Sequence, residues 1–392
     1  MSDEYMLRVA YVSSYSPRQC GIATFTEDLT RSIDELRLLA PSVIVAINDP
    51  GSHYNYGKEV VWPIEEDNIE TYNQAADHLN CSNIDLVNVQ HEFGLFGGAW
   101  GEYLLRFLKK LDMPVVTTMH TTLSPDARIL QSPENSTTHG KVVRAIARAS
   151  STIVVMTNMA AKILHDNYRI KRDEITIIPH GSPSFSFVPS DSVKKTLGLE
   201  GRTVLSTFGL LSQDKGIQHA IKALPDIVKD HPDILYLIIG VTHPQVRLHE
   251  GEKYRKSLKR IVDKLGLRDN VRFYNRFLSK DELIHYLQAT DIYICPYIQR
   301  DQLSSGTVTY ALSAGKPIIS TPFHYAEELL AEDRGILCKF SNPQSITDGI
   351  KQLLDNPEKK AHIEKLAYEH GQSMTWPRVA SKYVDLFKKL TS

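Results

Sequence analysis

The sequence predicts an α/β protein built from two doubly wound parallel sheets in tandem. Short apolar runs of strand length alternate with amphipathic, helix-length segments in the first half of the chain, a pattern typical of parallel βαβ units. A stretch rich in proline and serine, residues 182–201, interrupts this alternation, which then resumes at residue 203. Because 392 residues with 42% apolar content are too many for one compact core, we expect the two halves to form separate domains.

The first domain is predicted to cover residues 1–183. Its expected strands are residues 7–12, 42–47, 85–90, 114–119, 152–156 and 175–178. Its expected helices are residues 23–36, 101–111 and 141–150. The last helix of the chain, within residues 377–392, is expected to pack back on this domain.

The second domain is predicted to cover residues 184–376. Its expected strands are residues 203–207, 234–241, 271–274, 291–295, 317–320 and 336–340. Its expected helices are residues 216–229, 254–265 and 280–289, with a further helix that begins near Ser304 or Ser305. Open parallel sheets bind ligands at the carboxyl ends of their strands, so two such units facing each other predict an interdomain cleft.

Composition excludes several classes of function. A net charge of -1 supplies no basic excess for binding nucleic acid. Four cysteines without a CxxC pair indicate neither a zinc site nor a disulfide framework, which fits a cytoplasmic protein. No apolar run is long enough to cross a bilayer, and the basic amphipathic run at residues 104–110 is expected to be a packed helix rather than a membrane anchor. The oligomeric state stays open, and a homo-oligomer is compatible with the sequence.

A phosphate site is predicted where small residues begin a helix after the strand at 291–295. Small side chains leave the first N–H groups of the helix uncovered, and the positive end of the helix dipole favours an anion there. Lys215 precedes a second helix that Gly216 opens at another strand end, so its ammonium group can reach the same site. An ordinary serine-capped helix and a solvated lysine are the alternatives. The candidate phosphate-binding residues are Gly209, Lys215, Ser304, Ser305, Gly306 and Thr307.

Polar residues also follow strand ends in the first domain. His120 ends one expected strand, and His91 and Glu92 follow the neighbouring one, so both histidines should project into the cleft. His180 follows a further strand, as a third cleft residue or as a structural group near the hinge. Gly21 lies in the loop after the first strand, where it would let a ligand approach the backbone. Asn275 follows a strand end of the second domain.

The order of these short motifs resembles the retaining GT-B glycosyltransferases of family four, the glycosyl transferases group one. The motifs are Pro17 to Gly21, His120-Thr-Thr, Ile177-Ile-Pro-His-Gly181, Asp214-Lys215-Gly216, Val271-Arg-Phe and Gly315-Lys-Pro-Ile-Ile. The resemblance covers nearly the whole chain, including the terminal helix after Trp376.

What the resemblance implies is two Rossmann-like domains, of which the first binds the acceptor and the second binds an activated sugar. It implies that His120 contacts the donor sugar and that Lys215 binds phosphate, with no metal and no cofactor. It also implies front-face substitution, in which the leaving phosphate helps to deprotonate the acceptor. No side chain then acts as the nucleophile, although Glu92 as a covalent nucleophile is the less favoured alternative.

This sequence departs from the family pattern at three positions. Leu210 stands where the family has an arginine that pairs with the lysine on the diphosphate. Gln302 and Tyr310 stand where the family has two glutamates, one on the donor sugar and one on the ribose. Gln302 can still hydrogen-bond a sugar hydroxyl, whereas Tyr310 cannot accept two hydrogen bonds as a carboxylate does, although it could pack on the ribose or base. The leaving group of the donor therefore stays open.

The resulting prediction is a retaining, metal-independent hexosyltransferase that moves mannose or glucose from a nucleotide sugar to a carbohydrate acceptor. Its predicted catalytic residues are His120, Lys215 and Gln302. Tyr310 is assigned to the donor, and His91, Glu92, His180 and Asn275 are assigned to the acceptor or the sugar. The alternatives are a retaining glycoside phosphorylase that uses a sugar 1-phosphate and a non-catalytic carbohydrate-binding or regulatory protein.

Overall fold

The computed structural model describes residues 6–125 and 127–392. The chain divides into two compact units. The first unit contains the described residues up to Gly181 together with Trp376–Ser392, and the second is Ser182–Thr375. Each unit is built on a single parallel sheet.

The sheet of the first unit has seven parallel strands in the order β3-β2-β1-β4-β5-β6-β7. The strands are β1 (Val9–Ser13), β2 (Val43–Asn48), β3 (Val60–Glu65), β4 (Leu86–His91), β5 (Val115–Met119), β6 (Thr152–Val155) and β7 (Ile175–Ile177). In the centre of the sheet, Val12 of β1 pairs with Val45 on one side and Val89 on the other. Strands β1, β4 and β5 are buried along their whole length, as expected for a parallel sheet with helices on both faces.

Five α-helices follow strands of this sheet. They are α1 (Gly21–Leu36), α2 (Ile69–Asn80), α3 (Leu104–Lys110), α4 (Pro133–Ala149) and α5 (Asn158–Tyr168). Helix α1 begins where the Cys20 sulfur accepts a hydrogen bond from the Ala23 N–H, and it buries Phe25, Leu29 and Ile33 on one face.

The sheet of the second unit has six parallel strands in the order β10-β9-β8-β11-β12-β13. They are β8 (Thr203–Phe208), β9 (Ile234–Ile239), β10 (Val271–Tyr274), β11 (Ile292–Cys295), β12 (Ile318–Ser320) and β13 (Ile336–Leu337). The helices are α6 (Ser190–Lys194), α7 (Ile217–Ala223), α8 (Pro225–Val228), α9 (Pro244–Glu250), α10 (Lys253–Lys264), α11 (Lys280–Gln288), α12 (Gly306–Ser313), α13 (His324–Leu329), α14 (Pro343–Leu354) and α15 (Pro357–Gln372).

The final helix, α16 (Trp376–Thr391), belongs to the first unit and packs against α1. Its buried face includes Tyr383 and Phe387. The Tyr383 hydroxyl lies 3.0 Å from the hydroxyl of Thr118 on β5, and the Phe387 ring meets the Tyr11 ring of β1 edge-on. The helix therefore completes the core of the first unit.

The structure corrects several expected elements. Strand β3 was not predicted. It contains Pro63, which it tolerates because it is the edge strand of the sheet. The expected helix at residues 216–229 is two helices, because Pro225 ends the hydrogen bonding of the first. Helix α4 begins at Pro133, capped by Ser132, well before residue 141.

The predicted fold class is confirmed: each unit is a Rossmann-like, doubly wound parallel sheet. In each sheet the strand order reverses once, between β1 and β4 in the first unit and between β8 and β11 in the second. Ligands of such sheets bind outside the carboxyl ends of the strands at this reversal. The two reversals therefore locate the candidate sites.

Candidate functional site

In the second unit the loops after β8 and β9 are joined by their backbones. The Leu211 N–H donates to the Val241 carbonyl and the His243 N–H donates to the Leu211 carbonyl. Gly240, at φ 135°, has no room for a side chain, since an added Cβ would lie 2.0 Å from the Gly209 carbonyl oxygen. The loop that carries Gly209 and Lys215 is thus held rigidly at the strand reversal.

Lys215 ends a short 3₁₀ turn, Gln213–Lys215, and its ammonium nitrogen lies 3.9 Å from the centre of the Tyr297 ring. No carboxylate forms an ion pair with it among the residues that the structure describes. Burial opposes its charge, but Tyr297 and then Asp214 outweigh burial and raise the pKa of Lys215 above its usual value. The lysine is therefore a charged group whose positive charge is not neutralised by a salt bridge.

Helix α12 begins beside this lysine. The Ser305 hydroxyl caps it by accepting from the Val308 N–H, so the N–H groups of Gly306 and Thr307 have no partner inside the helix. The Thr307 hydroxyl lies 3.0 Å from the Tyr297 hydroxyl and 3.1 Å from that of Ser305. Tyr297 therefore connects the lysine to the start of the helix, and together they can bind an anion.

Gly209 lies against the same helix start. A Cβ added to Gly209, whose φ is 128°, would lie 3.2 Å from the Thr307 methyl group. The structure thus brings together Gly209, Lys215 and the Ser305–Thr307 turn, as the phosphate-site prediction requires. Tyr297 was not foreseen as part of this cluster.

The other predicted donor residues surround this turn. The Gln302 side chain donates to the Ser304 carbonyl, and the Gln302 carbonyl accepts from the Tyr325 N–H, which fixes the loop before α12. Tyr310 is 7% exposed on the next turn of α12, near the Phe208 ring. Asn275 is exposed after β10, the edge strand, with β9 and β8 between it and the reversal, so the structure does not group it with Lys215.

In the first unit His120 follows β5, and a chain of buried side chains holds its ring. Its Nε2 atom lies 2.8 Å from the Gln90 Oε1 atom, and the Gln90 amide donates to Asn88 Oδ1 at 2.6 Å. Phe25 of α1 meets the His120 ring edge-on, with ring centres 4.6 Å apart. Burial, followed by His180 and His91, lowers the pKa of His120 well below its usual value, so the imidazole is neutral at pH 7.

His180 belongs to the same cluster. Its Nδ1 atom lies 2.7 Å from the Gly181 carbonyl oxygen, and its ring packs against Phe25 and Trp376. Burial lowers its pKa to about 4. Gly181 has no space for a side chain, because an added Cβ would lie 2.1 Å from the Trp376 ring. These contacts make His180 a packed group next to the boundary between the two units. They fit the second of its two predicted roles, a structural group near the hinge.

Glu92 lies directly after β4. One carboxylate oxygen accepts from the Thr121 hydroxyl and the other accepts from the Phe93 N–H. Burial raises the pKa of Glu92 above its usual value, although these two hydrogen bonds oppose the rise. Glu92 and Thr121 thus form one polar group next to His120.

The assignment of His91 to a sugar contact is corrected by the structure. His91 is 0% exposed, and its ring is stacked on Phe96 and meets Phe93 edge-on. Neither ring nitrogen has a hydrogen-bond partner among the described residues. Burial, followed by His139, lowers its pKa to about 3. Its position after the strand suggested an exposed residue, but the following turn, Phe93–Leu95, covers the ring.

Gly21 is the first residue of α1 and is exposed. A Cβ added there would have no neighbour within 4 Å, so the fold itself does not require a glycine. This agrees with the expectation that the position leaves room for a ligand, but does not test it.

Within the described residues, no group of three or more histidine, cysteine, aspartate or glutamate side chains could hold a metal ion. Over the same residues, none of the helices has both the length and the apolar character that a bilayer crossing requires.

Sequence reasoning missed Asn88, Gln90 and Tyr297. Asn88 and Gln90 are two residues apart in a strand that is otherwise apolar up to His91, so their side chains share one face. Two buried amides on one face of a strand must find hydrogen-bond partners, so this spacing in the sequence already indicated a buried polar network. Tyr297 gave no comparable signal, because its contact with Lys215 depends on how two loops distant in the chain fold together.

Models of two protein families match the chain, one in each unit. The model described as Glycosyltransferase Family 4 matches residues 21–182, and the model described as Glycosyl transferases group 1 matches residues 190–370. The first match ends, and the second begins, within ten residues of the division between the two units at Gly181 and Ser182.

Curated relatives are distant. The spore coat protein SA of Bacillus subtilis is 27% identical over 51% of this chain and 52% of its own length. A D-inositol 3-phosphate glycosyltransferase of Corynebacterium urealyticum is 22% identical over 62% of this chain and 57% of its own length. The match to these two thus spans little more than half of each. The corresponding enzyme of Paenarthrobacter aurescens is 24% identical over 80% of this chain and 78% of its own length.

Solved structures share the fold. Anabaena Alr3699/HepE in complex with UDP and glucose has a TM-score of 0.76 at 15% identity, covering 98% of this chain and 100% of that chain. A glycosyltransferase of Rickettsia africae has a TM-score of 0.74 at 16% identity, covering 98% of this chain and 99% of that chain. One glycosyltransferase family model matches each unit, and the shared fold covers nearly the whole chain. The chain therefore belongs to the GT-B glycosyltransferases of family four.

Proposed function

We propose that this glycosyltransferase is a retaining, metal-independent hexosyltransferase that uses a nucleotide sugar and a carbohydrate acceptor. The observation that carries the proposal is Lys215, a charged lysine held beside the N-terminus of α12, with no salt-bridge partner in the part of the chain that the structure describes. A cation and free helix N–H groups at a strand reversal form a site for phosphate. The complex of the structurally similar Anabaena protein with UDP and glucose supports a nucleotide sugar of the glucose type.

In this proposal the Lys215 ammonium and the N–H groups of Gly306 and Thr307 bind the phosphate of the donor. They stabilise the negative charge that builds on the phosphate oxygen as its bond to the sugar C1 breaks. The acceptor hydroxyl attacks C1 from the same face, and its proton passes to the departing phosphate oxygen. Configuration at C1 is retained, and the products are a glycoside and a nucleoside diphosphate.

His120 and Gln302 would hydrogen-bond the hexose, and Glu92 with Thr121 would contact the acceptor or the sugar. None of these groups needs to form a covalent intermediate. The neutral His120 fits this role, because its low pKa keeps the ring uncharged and suited to a sugar hydroxyl.

A product assay tests this proposal. The purified protein is incubated with UDP-, GDP- and ADP-linked glucose and mannose and a panel of neutral saccharides, and the anomeric configuration of the product is read by NMR. Transfer from one nucleotide sugar with retained configuration, unaffected by a chelator, supports the proposal. Transfer with inversion, or only with an added metal, contradicts it.

One observation favours a second candidate, a glycoside phosphorylase that uses a sugar 1-phosphate. Tyr310 is nearly buried and Leu210 is apolar, so neither supplies the charged contacts to ribose and diphosphate that the family uses. A sugar 1-phosphate needs only the site at Lys215. Release of hexose 1-phosphate from a disaccharide and inorganic phosphate would identify this activity.

A further inference from the structure

A buried chain of side-chain hydrogen bonds runs from the middle of the first sheet to His120. Asn88 and Gln90 of β4 are both 0% exposed, and each lies within hydrogen-bond distance of the next group. The bonds are Asn88 Nδ2 to the Val116 carbonyl at 3.0 Å, Gln90 Nε2 to Asn88 Oδ1 at 2.6 Å, and His120 Nε2 to Gln90 Oε1 at 2.8 Å.

The backbone carbonyl at one end fixes the direction of every bond in this chain. The Val116 carbonyl can only accept, so the amide nitrogen of Asn88 must face it and its Oδ1 must face Gln90. Oδ1 can also only accept, so Gln90 presents its amide nitrogen to Asn88 and its Oε1 to His120. That oxygen is again an acceptor, so the proton must be on His120 Nε2.

The ring carries only one proton at neutral pH. Burial, then His180 and His91, hold the pKa of His120 well below its ordinary value. With Nε2 protonated, Nδ1 has a lone pair and can only accept a hydrogen bond.

We propose that Asn88 and Gln90 are positioning residues that hold His120 as the Nε2–H tautomer, so that Nδ1 is the hydrogen-bond acceptor of the ring. An acceptor nitrogen pairs with a hydroxyl group and not with a phosphate or carboxylate oxygen. Any ligand group that hydrogen-bonds this nitrogen must then be a donor, such as a sugar hydroxyl, and not an anionic oxygen. This statement about the ligand rests on the proposed function, whereas the tautomer does not.

The tautomer is measured directly by two-bond ¹⁵N–¹H correlation NMR on the full chain with labelled histidine, at pH 7 and without ligand. The chain has 15 histidines, and the His120 signals are assigned by their loss in a His120→Gln variant. The proposal expects the proton on Nε2. A His120 ring that is protonated on Nδ1, doubly protonated, or an even mixture of tautomers overturns it.

Two substitutions of Gln90 test whether the buried chain causes the tautomer. Gln90→Met removes the acceptor and should give a mixture of tautomers, with kcat lowered about tenfold, as expected for a lost hydrogen bond in the transition state. Gln90→Glu, as the protonated acid, can donate to Asn88 Oδ1 and present its carbonyl oxygen to His120, so it should keep the Nε2–H tautomer and a kcat within about threefold of the parent. A single Nε2–H tautomer in folded Gln90→Met overturns the causal role.

Thr117→Val is the matched control. Thr117 is a buried polar residue of the adjacent strand, and its hydroxyl contacts Ser150 rather than the chain that leads to His120. This substitution should leave the His120 tautomer unchanged. If Gln90→Met does not fold, the spectrum of the parent protein still decides the tautomer, and Gln90→Glu still tests whether an acceptor at position 90 is enough to keep it. A parent protein with the expected tautomer but no transfer activity would leave this inference standing and overturn the proposed function.

Discussion

Gly21 and Gly216 occupy similar places in the chain, each at the start of a helix after a central strand, but for different physical reasons. Gly216 has a φ of 63°, and an added Cβ would lie 2.0 Å from the Pro296 carbonyl oxygen. Gly21 has no such constraint. A glycine that the fold does not require is a candidate for close approach of a ligand to the backbone.

Gly21→Ala should therefore separate stability from activity. We expect the free energy of unfolding to stay the same or to rise by up to about 1 kcal/mol, because alanine is favoured over glycine in a helix. Glycosyl transfer should fall at least tenfold, because the methyl group occupies space that the ligand uses. Denaturant unfolding and a transfer assay measure the two effects.

Gly216→Ala is the comparison variant. It should lose stability by at least the ~1–2 kcal/mol that a left-handed conformation costs a residue with a Cβ. Full transfer activity in Gly21→Ala would show that no ligand approaches that position.

His91→Phe should keep the fold and the activity. A buried imidazole without hydrogen-bond partners costs about 1–3 kcal/mol of desolvation, which phenylalanine avoids while keeping the contacts with Phe93 and Phe96. We expect an unchanged or higher midpoint of thermal unfolding and transfer within twofold of the parent. A large loss of activity in a folded variant would restore His91 as a functional residue.

The sequence predicted which residues lie at strand ends, but not which of them are accessible. His120, Lys215 and the Ser305–Thr307 turn were found because strand-end positions in parallel sheets follow from the alternation of elements. The burial of His91 depends on the turn at Phe93–Leu95, whose path the strand pattern does not contain. The partners Gln90 and Tyr297 depend on side-chain directions across strands and loops, which only the folded backbone fixes.

At the scale of elements, Tyr297 joins two of them, the turn that carries Lys215 and the first turn of α12. Tyr297 is 3% exposed and stacks on Phe323, so its ring is held firmly in place. Burial, although opposed by Lys215, raises its pKa above the usual value, so the phenol is neutral at pH 7. A neutral ring holds the cation in place without cancelling the charge that a phosphate requires.

A double-mutant cycle tests this connection. Tyr297→Phe keeps the ring and should bind a nucleoside diphosphate within about threefold of the parent. Tyr297→Leu removes the cation–π contact, worth about 0.5–2 kcal/mol, and should weaken binding by about two- to thirtyfold. In a Lys215→Ala background Tyr297→Leu should have no further effect, because its contribution acts through the lysine.

Phe323→Leu provides the control for lost packing. Phe323 stacks on Tyr297, whereas the cation–π contact of Lys215 is made with the Tyr297 ring. Calorimetry measures the binding of each variant. Additive effects of the Tyr297 and Lys215 substitutions would show that Tyr297 acts through packing alone.

Element boundaries were predicted well where the apolar run is regular and poorly where proline intervenes. The α11 and β11 boundaries agree with the expectation to within a residue at either end. Strand β3 was missed, and the helix that precedes β9 was not expected to break at Pro225. Each of these elements contains a proline, which an edge strand tolerates and which ends a helix, and tertiary context decides between the two outcomes.

At the scale of the whole molecule, the first unit contains four buried neutral histidines, and this makes its stability dependent on pH. Burial lowers the pKa of His91 to about 3 and of His139 and His180 to about 4, and it also lowers that of His120. In the unfolded chain these groups titrate near pH 6.5. As the pH falls below about 6.5 the unfolded state takes up protons first, so the stabilisation present at higher pH is lost.

Lowering the pH below about 6.5 should therefore destabilise the first unit. Between pH 6.5 and its pKa in the folded protein, each such histidine lowers the free energy of unfolding by about 1.4 kcal/mol for each unit that the pH falls. Denaturant unfolding between pH 7.5 and 5 measures the slope, and hydrogen exchange assigns it to a unit. His91→Phe should reduce the slope by the contribution of one histidine. A stability that does not change over this range would contradict the neutral, buried state of these residues.

The most direct test of the central claim, that Lys215 and the start of α12 bind the phosphate of a nucleotide sugar, is titration calorimetry with UDP, GDP, ADP and inorganic phosphate on the parent protein and on Lys215→Ala. A charge-assisted hydrogen bond to phosphate is worth about 1.5–3 kcal/mol. We therefore expect saturable binding of one nucleoside diphosphate by the parent, at least tenfold weaker binding by a folded Lys215→Ala variant, and no binding of inorganic phosphate alone. Binding of phosphate or hexose 1-phosphate with no binding of any nucleoside diphosphate would contradict the account and favour the phosphorylase.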